Sequence, residues 1–550
     1  MAKNIIICSD GTGNTAIKGR GTNVFKLFEA VDLHSHRVDP HPEVPTQIAF
    51  YDDGVGTESF KPLKLLGGAV GWGLSRNVMQ LYRELARVYD HGDNIYLFGF
   101  SRGAFTVRTL AGMIVHCGVL RGLELGTTHK LREAVSQTYK AYRAEYQSYL
   151  TRLVRRKPGR PNRKAAVEKL HGELPFHLNV PIRFIGVWDT VDAVGMPFAL
   201  GEFVNRVVYQ FKFSTRDLNG QVKCGCQALA IDEERTSFAP VLWDERRRNP
   251  EQMVEQVWFA GVHSNVGGGY PKQGMSLVAL DWMLRRAMEC GLRVQPLDLE
   301  LIKGHASVDD KLYDPRAGAG LFYSWGPRKI GELCEANGVA PKIHLTAIER
   351  IAHGTEDYAP GVIPDGAVVV TTTTDDPEAN AATEMRARAV QKILDKALAD
   401  RPTLMREAAP AMKVGRLSYW LFMLSWLALI IGAVGVTMET IPGPLTVGRM
   451  IKGVWAVVYS LVTLQLDVVF ETLLALLYRP WRALGVTAFG GFLVAWVLAR
   501  RTDRQISDIF SAFWHKQQEE LRDALKSARA AAARQYGGFR PAPREPVEVD

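Results

Sequence analysis

Ile95-Tyr96-Leu97-Phe98-Gly99-Phe100-Ser101-Arg102-Gly103 is the stretch on which the fold turns. Four apolar residues in a row read as a buried strand, and Gly99-Phe100-Ser101-Arg102-Gly103 places small residues two positions either side of a serine. That pattern lets the chain reverse sharply and lift the hydroxyl clear of a sheet. Ala104 to His116 then reads as an apolar helix stopped by Gly118. Upstream, Leu74, Val78, Leu81, Leu85 and Val88 keep helical spacing, and His91-Gly92-Asp93 closes that helix before the strand. Helix, strand, tight turn and helix in succession is the context a nucleophilic serine needs. The bland alternative for Ser101 is a helix N-cap.

Working outward, Asn4 to Cys8 reads as a central strand ending in Asp10-Gly11-Thr12-Gly13-Asn14, a polar turn whose amides can point at a ligand. Ile182 to Trp188 and Val254 to Phe259 are further strands, each followed by a polar residue or glycine turn. This alternation predicts an α/β fold of the α/β-hydrolase type, a mostly parallel sheet with helices on both faces. Ligands of such sheets bind beyond the carboxyl ends of the strands. Residues 120 to 180, with a polar helical pattern carrying Tyr139, Tyr142, Tyr146 and Tyr149, interrupt the strand series and read as a cap insertion.

A serine is a poor nucleophile at neutral pH. It needs a histidine base, which in turn needs a carboxylate to hold its tautomer. Asp189 follows Ser101 by 88 positions and His263 follows Asp189 by 74, the Ser, Asp, His order of this fold. Asp192 competes for the acid role but lies farther from the strand end. The alternatives are a capping Asp189 and a merely hydrogen-bonded His263 ahead of Gly267-Gly268-Gly269. An oxyanion would take the N–H of Arg102 and a second donor from Gly11 or Thr12. Asp10, beside that turn, would be repulsive if it faced an oxyanion, so it is expected to tie the turn down instead.

With these residues assembled, the chain resembles the uncharacterised α/β-hydrolase domain family that includes the phospholipase effectors of bacterial type VI secretion. The resemblance rests on Ser9 to Asn14, Tyr51-Asp52-Asp53-Gly54-Val55-Gly56-Thr57, Gly99 to Gly103, Gly186 to Val191, Ala228-Leu229-Ala230-Ile231-Asp232-Glu233-Glu234-Arg235, and Trp258 to Tyr270. It implies a Ser101, Asp189, His263 triad that hydrolyses carboxylic esters, plausibly of glycerophospholipids. Ser264 stands where the family commonly has an aspartate after the histidine, which changes the surroundings of the base without removing it.

The 550 residues exceed one core, so further modules are expected. The boundaries read as a catalytic domain over 1–350, a helical linker over 351–412, a membrane region over 413–504 and a helical, then loose, tail over 505–550. Leu417 to Met438 contains no charged residue and is long enough to cross a hydrocarbon core of about 30 Å. Val454 to Tyr478 is long enough to cross but carries Asp467 and Glu471, so it reads as a further span or an interfacial segment, and Leu484 to Leu498 is a shorter apolar stretch. Lys413 and Arg416 before the first span, with Arg500, Arg501 and Arg504 after the last, favour both flanks in the cytoplasm and an even number of crossings over three.

The N-terminal apolar run is too short for a signal peptide. Six scattered cysteines fit a reducing compartment. Together these features put the catalytic domain on the cytoplasmic side of a membrane, which the family resemblance implies is a bacterial inner membrane. No metal or other cofactor is expected, since Cys224-Gly225-Cys226 has no matching second pair.

The formal charge of +9 matters in its placement. Arg152, Arg155, Arg156, Lys157, Arg160, Arg163 and Lys164 crowd one segment that reads as a loop facing solvent or lipid head groups. A DNA-binding arm is disfavoured in a chain tied to a membrane, so membrane lipids are the expected partners and nucleic acid is not. The competing reading from another class is a non-catalytic membrane scaffold that retains the fold.

Overall fold

The computed structural model describes residues 2–11, 21–33, 45–53, 69–145, 162–191, 217–440, 474–476 and 482–536. Thr12, Asp192, Arg152 to Arg160 and almost all of the segment 454–478 therefore lie outside the described residues.

Eight strands form one sheet: β1 (Asn4–Ser9), β2 (Gln47–Asp52), β3 (Asn94–Phe100), β6 (Ile182–Trp188), β7 (Val222–Ala230), β8 (Met253–Phe259), β9 (Lys342–His344) and β10 (Val368–Val370). Their spatial order is β10-β9-β8-β7-β6-β3-β1-β2, and every neighbouring pair among the described residues is parallel. The mostly parallel α/β sheet expected from the sequence is the one observed. A separate antiparallel pair joins β4 (Val119–Leu120) to β5 (Phe176–His177).

A parallel sheet covered on both faces needs strands that are apolar throughout, and β1 shows why. Ile5 and Ile7 pack into the core on one face, Ile6 and Cys8 into the core on the other, and all four are fully buried. Ile95 and Leu97 of β3 join the first core, while Tyr96, Phe98 and Phe100 join the second. The helices Ala69–Val88 and Arg102–Cys117 cover the first face, and Asn23–Ala30 and Gly274–Glu289 cover the second. The described parts of the 120–180 segment build the helices Thr128–Tyr142 and Arg163–Glu173. Leu131, Val135, Tyr139, Tyr142, Val167 and Leu170 of these helices share the first core with Ile5 and Leu97.

The chain divides into two units. One comprises residues 1–323, 327–401 and 514–550, and the other residues 324–326 and 402–513. Within the first, residues 351–401, expected as a linker, supply β10 and the helix Pro377–Ala399. The tail also belongs to this unit, because the buried Trp514 indole donates to Pro360 O at 2.9 Å and Arg522 donates to Ala352 O.

The second unit contains the helix Arg401–Thr440 from Pro402 on and the helix Arg482–Gln535 up to Phe513. Both helices are long and apolar enough to cross a membrane. Trp420, Leu424, Leu427 and Ile431 of the first and Leu493 and Trp496 of the second are exposed, a surface that lipid would cover better than water. The two helices meet at Phe422, Trp426 and Phe492, with ring centroids 5.6 Å apart.

Candidate active site

Register in a parallel sheet brings strand ends together, and here it gathers the predicted residues on one edge. Phe100 of β3 pairs with Trp188 of β6, and Trp188 pairs with Ala228 of β7, so Ser101 and Asp189 leave adjacent strands at the same level. The bonds Ser101 N–H to Trp188 O at 3.0 Å and Asp189 N–H to Ala228 O at 2.7 Å extend the ladder by one residue. His263 follows β8, whose last residue, Phe259, pairs with Ala230.

Ser101 has φ 58° and ψ −119°, a conformation that residues with a side chain rarely hold. It is the sharp turn anticipated from Gly99 and Gly103, and Ser101 itself is buried. A Cβ on Gly99 would meet Gly103 O at 2.6 Å, and one on Gly103 would meet Ser9 O at 2.0 Å. The small residues therefore allow the turn to close and the following helix to seat against the end of β1. Arg102 opens that helix, so its N–H has no acceptor within the helix and lies at the positive end of the dipole. Burial pushes the Arg102 guanidinium down to about 10, with Tyr323 opposing the shift, and it stays cationic at neutral pH.

The His263 Nδ1–H donates to Asp189 Oδ2 at 2.6 Å. The ring packs at a tilt of 34° against Phe100, the neighbour of Ser101, with centroids 4.6 Å apart, and meets Phe238 edge-on at 5.0 Å. His263 Nε2 is buried and has no hydrogen-bond partner among the described residues, Ser101 Oγ included. The imidazole thus lies beside the serine turn with its basic nitrogen unengaged.

Asp189 is fully buried. Burial alone would raise its pKa, but the Arg328 guanidinium and the His263 bond outweigh that and hold the carboxyl well below the usual range. Arg328 was not anticipated from the sequence. It donates Nη1 to Asp189 Oδ1 at 2.7 Å and Nη2 to Oδ2 at 2.8 Å. Two other unanticipated residues, Asp232 and Glu233, sit at the end of β7 within a motif whose composition already stood out. Asp232 accepts from Gly261 N–H at 2.6 Å and Tyr358 O–H at 2.9 Å, while Glu233 accepts from His263 N–H at 3.3 Å. Both carboxylates fix the backbone that carries the base. Burial pushes the Asp232 carboxyl up to about 6 against those hydrogen bonds.

The turn after β1 is bonded to the Asp10 carboxylate. Asp10 accepts from Gly11 N–H at 2.6 Å, Thr22 O–H at 2.6 Å and Tyr51 O–H at 2.7 Å. The first of these bonds engages the Gly11 amide, which is therefore not free as placed to serve an oxyanion; Thr12, the other candidate, lies outside the described residues. An asparagine at position 10 has a donor end that would face at least one of these donors, costing about 1–3 kcal/mol. Asp10→Asn should lower the melting temperature by several degrees yet leave the reaction rate per folded molecule within a few-fold. Thermal unfolding alongside active-site titration checks this, and the reverse pattern would assign Asp10 to the chemistry. Ser264 accepts the N–H of Gly268 through its carbonyl at 3.0 Å, closing the short helix His263–Gly267.

A family model described as the catalytic domain of Tle1-like type VI secretion phospholipase effectors matches residues 3–286. The chain belongs to this family. Its Tle1-like domain thus carries every motif on which the resemblance rested, and phospholipase-type hydrolysis is the family's chemistry. An uncharacterised Saccharomyces cerevisiae protein, YEL023C, is 30% identical over 209 residues, covering 35% of this chain and 27% of the relative. The chain thus spans about a quarter of that relative's length. Among solved structures, an uncharacterised Pseudomonas aeruginosa protein aligns over 95% of this chain and 76% of its own, with a TM-score of 0.36 and 16% identity. Arg328 lies beyond the matched segment of the Tle1-like domain.

Proposed function

We propose that this protein is a membrane-anchored serine hydrolase that cleaves carboxylic esters of membrane phospholipids through an acyl-enzyme on Ser101. The observation that carries this reading is the His263 imidazole, bound through Nδ1 to Asp189 and packed against Phe100, with Nε2 unengaged next to the turn that presents Ser101. Ser101 Oγ attacks the ester carbonyl carbon and passes its proton to His263 Nε2. The negative charge on the former carbonyl oxygen takes the Arg102 N–H and a second donor from the turn after Asp10. Collapse expels the alcohol, which leaves with the proton from His263. Water, deprotonated by the same nitrogen, then releases the fatty acid.

The exposed apolar faces of the two long helices support anchoring in a bilayer, which would hold the enzyme at its substrate. The basic flanks favour a bacterial inner membrane with the catalytic domain on the cytoplasmic side.

The test is product analysis on mixed phospholipid–detergent micelles. Free fatty acid and lysolipid should form with the native protein and not with Ser101→Ala. Equal product from both would refute the mechanism, and no product together with no fluorophosphonate labelling of Ser101 would point to a scaffold.

A further inference from the structure

Asp189 accepts four hydrogen bonds, which is every position a carboxylate offers. Oδ1 takes Ala230 N–H at 3.1 Å and Arg328 Nη1 at 2.7 Å, and Oδ2 takes His263 Nδ1 at 2.6 Å and Arg328 Nη2 at 2.8 Å. Arg328 is itself fixed, because Nη1 also donates to Ala230 O at 2.6 Å and Nη2 to Phe238 O at 2.8 Å. Its side chain is 4% exposed and that of Asp189 0%, so water screens the pair little. A bidentate guanidinium fixes the carboxylate plane, and hence the direction from which the histidine must bond.

A carboxylate without such a fork could rotate and offer the imidazole either oxygen. The other charged groups around His263 do not hold the Asp189 plane. Glu233, at the end of β7, accepts from the His263 backbone but is itself neutralised by Arg235 at 2.8 Å, and Asp232 is turned to Gly261 and Tyr358.

Resting on the triad reading above, we infer that Arg328 is a positioning residue for the hydrolytic reaction: its two parallel hydrogen bonds clamp Asp189 in the plane that orients His263.

The experiment measures saturable Ser101 labelling by a fluorophosphonate in the full-length protein, resolved into probe affinity and chemical rate constant, with Ser101→Ala as the blank. Arg328→Gln and Arg328→Lys, which both lose the fork, should label at least about tenfold more slowly at saturating probe with probe affinity and labelled fraction kept. A glutamine variant with the native rate constant overturns the inference while leaving the serine mechanism standing, and so does one that lowers only the labelled fraction. If the glutamine variant does not fold, a lysine variant that labels at the native rate overturns it equally. Absence of Ser101-dependent labelling in the native protein takes down the triad reading and this inference with it.

Discussion

Asp189→Asn should cost about four orders of magnitude in turnover and at the same time about 3–5 kcal/mol of stability. The two losses share one cause. All four groups that face the Asp189 oxygens are donors, whereas an amide presents one oxygen and one NH2. Turned with the NH2 toward His263, the amide forces the ring to accept at Nδ1 and carry its proton on Nε2, so no base remains. Turned the other way, it sets the NH2 against Ala230 N–H and Arg328 Nη1. In either orientation the Arg328 guanidinium loses its counter-charge in a site that water barely reaches.

The pH dependence follows the same pair. The Asp189 pKa is depressed in the folded state, so its contribution to stability is present above the ordinary value of 3.8 and is lost as pH falls through the lower folded value. Denaturant midpoints at pH 7 and ester turnover should both fall in the variant. Turnover within tenfold of native with an unchanged midpoint would remove Asp189 from the site.

Gly103→Ala should be the most destructive small substitution at the serine turn. The added Cβ would lie 2.0 Å from Ser9 O and 2.5 Å from Asp10 O, and both are main-chain atoms. Neither can retreat easily, because β1 is bonded on one side to β2 and on the other to β3. Relief must come from sliding the helix Arg102–Cys117 away, which drags Ser101 from its register and opens the core around Ala104 and Val107. The expected loss is about 3 kcal/mol or more. Gly172→Ala is the matched control: that glycine is helical, a Cβ there meets nothing within 4 Å, and alanine should be neutral or favourable by up to about 1 kcal/mol. Soluble yield and thermal melting of the two variants, side by side, check the contrast.

The difference between those two glycines also says what a one-dimensional reading can reach. Gly103 was recognisable because a local rule, small residues flanking a serine between a strand and a helix, produces a local shape. The strands were readable for a similar reason: Ile5 to Cys8 and Ile95 to Phe98 are apolar at every position, as burial on both faces demands. Once those strand ends were placed, the edge where Asp189 and His263 belong followed from topology.

Arg328 obeys no such rule. Its partner is 139 positions away, it follows a Gly-Pro turn rather than a strand, and an arginine in a loop reads as solvated until the fold brings a buried carboxylate to it. Trp514 escaped notice for a related reason. Near the polar, alanine-rich end of a long helix an indole looks incidental, and only the tertiary fold sets it against Pro360.

That last contact constrains how the chain can thread a bilayer. Residues 327–401 and from 514 onward fold into the same unit, so the chain leaves that body at Pro402 and rejoins it at Trp514. For a chain anchored as proposed, the two ends of that stretch are tied to one folded body, so neither can be drawn across the bilayer without the other.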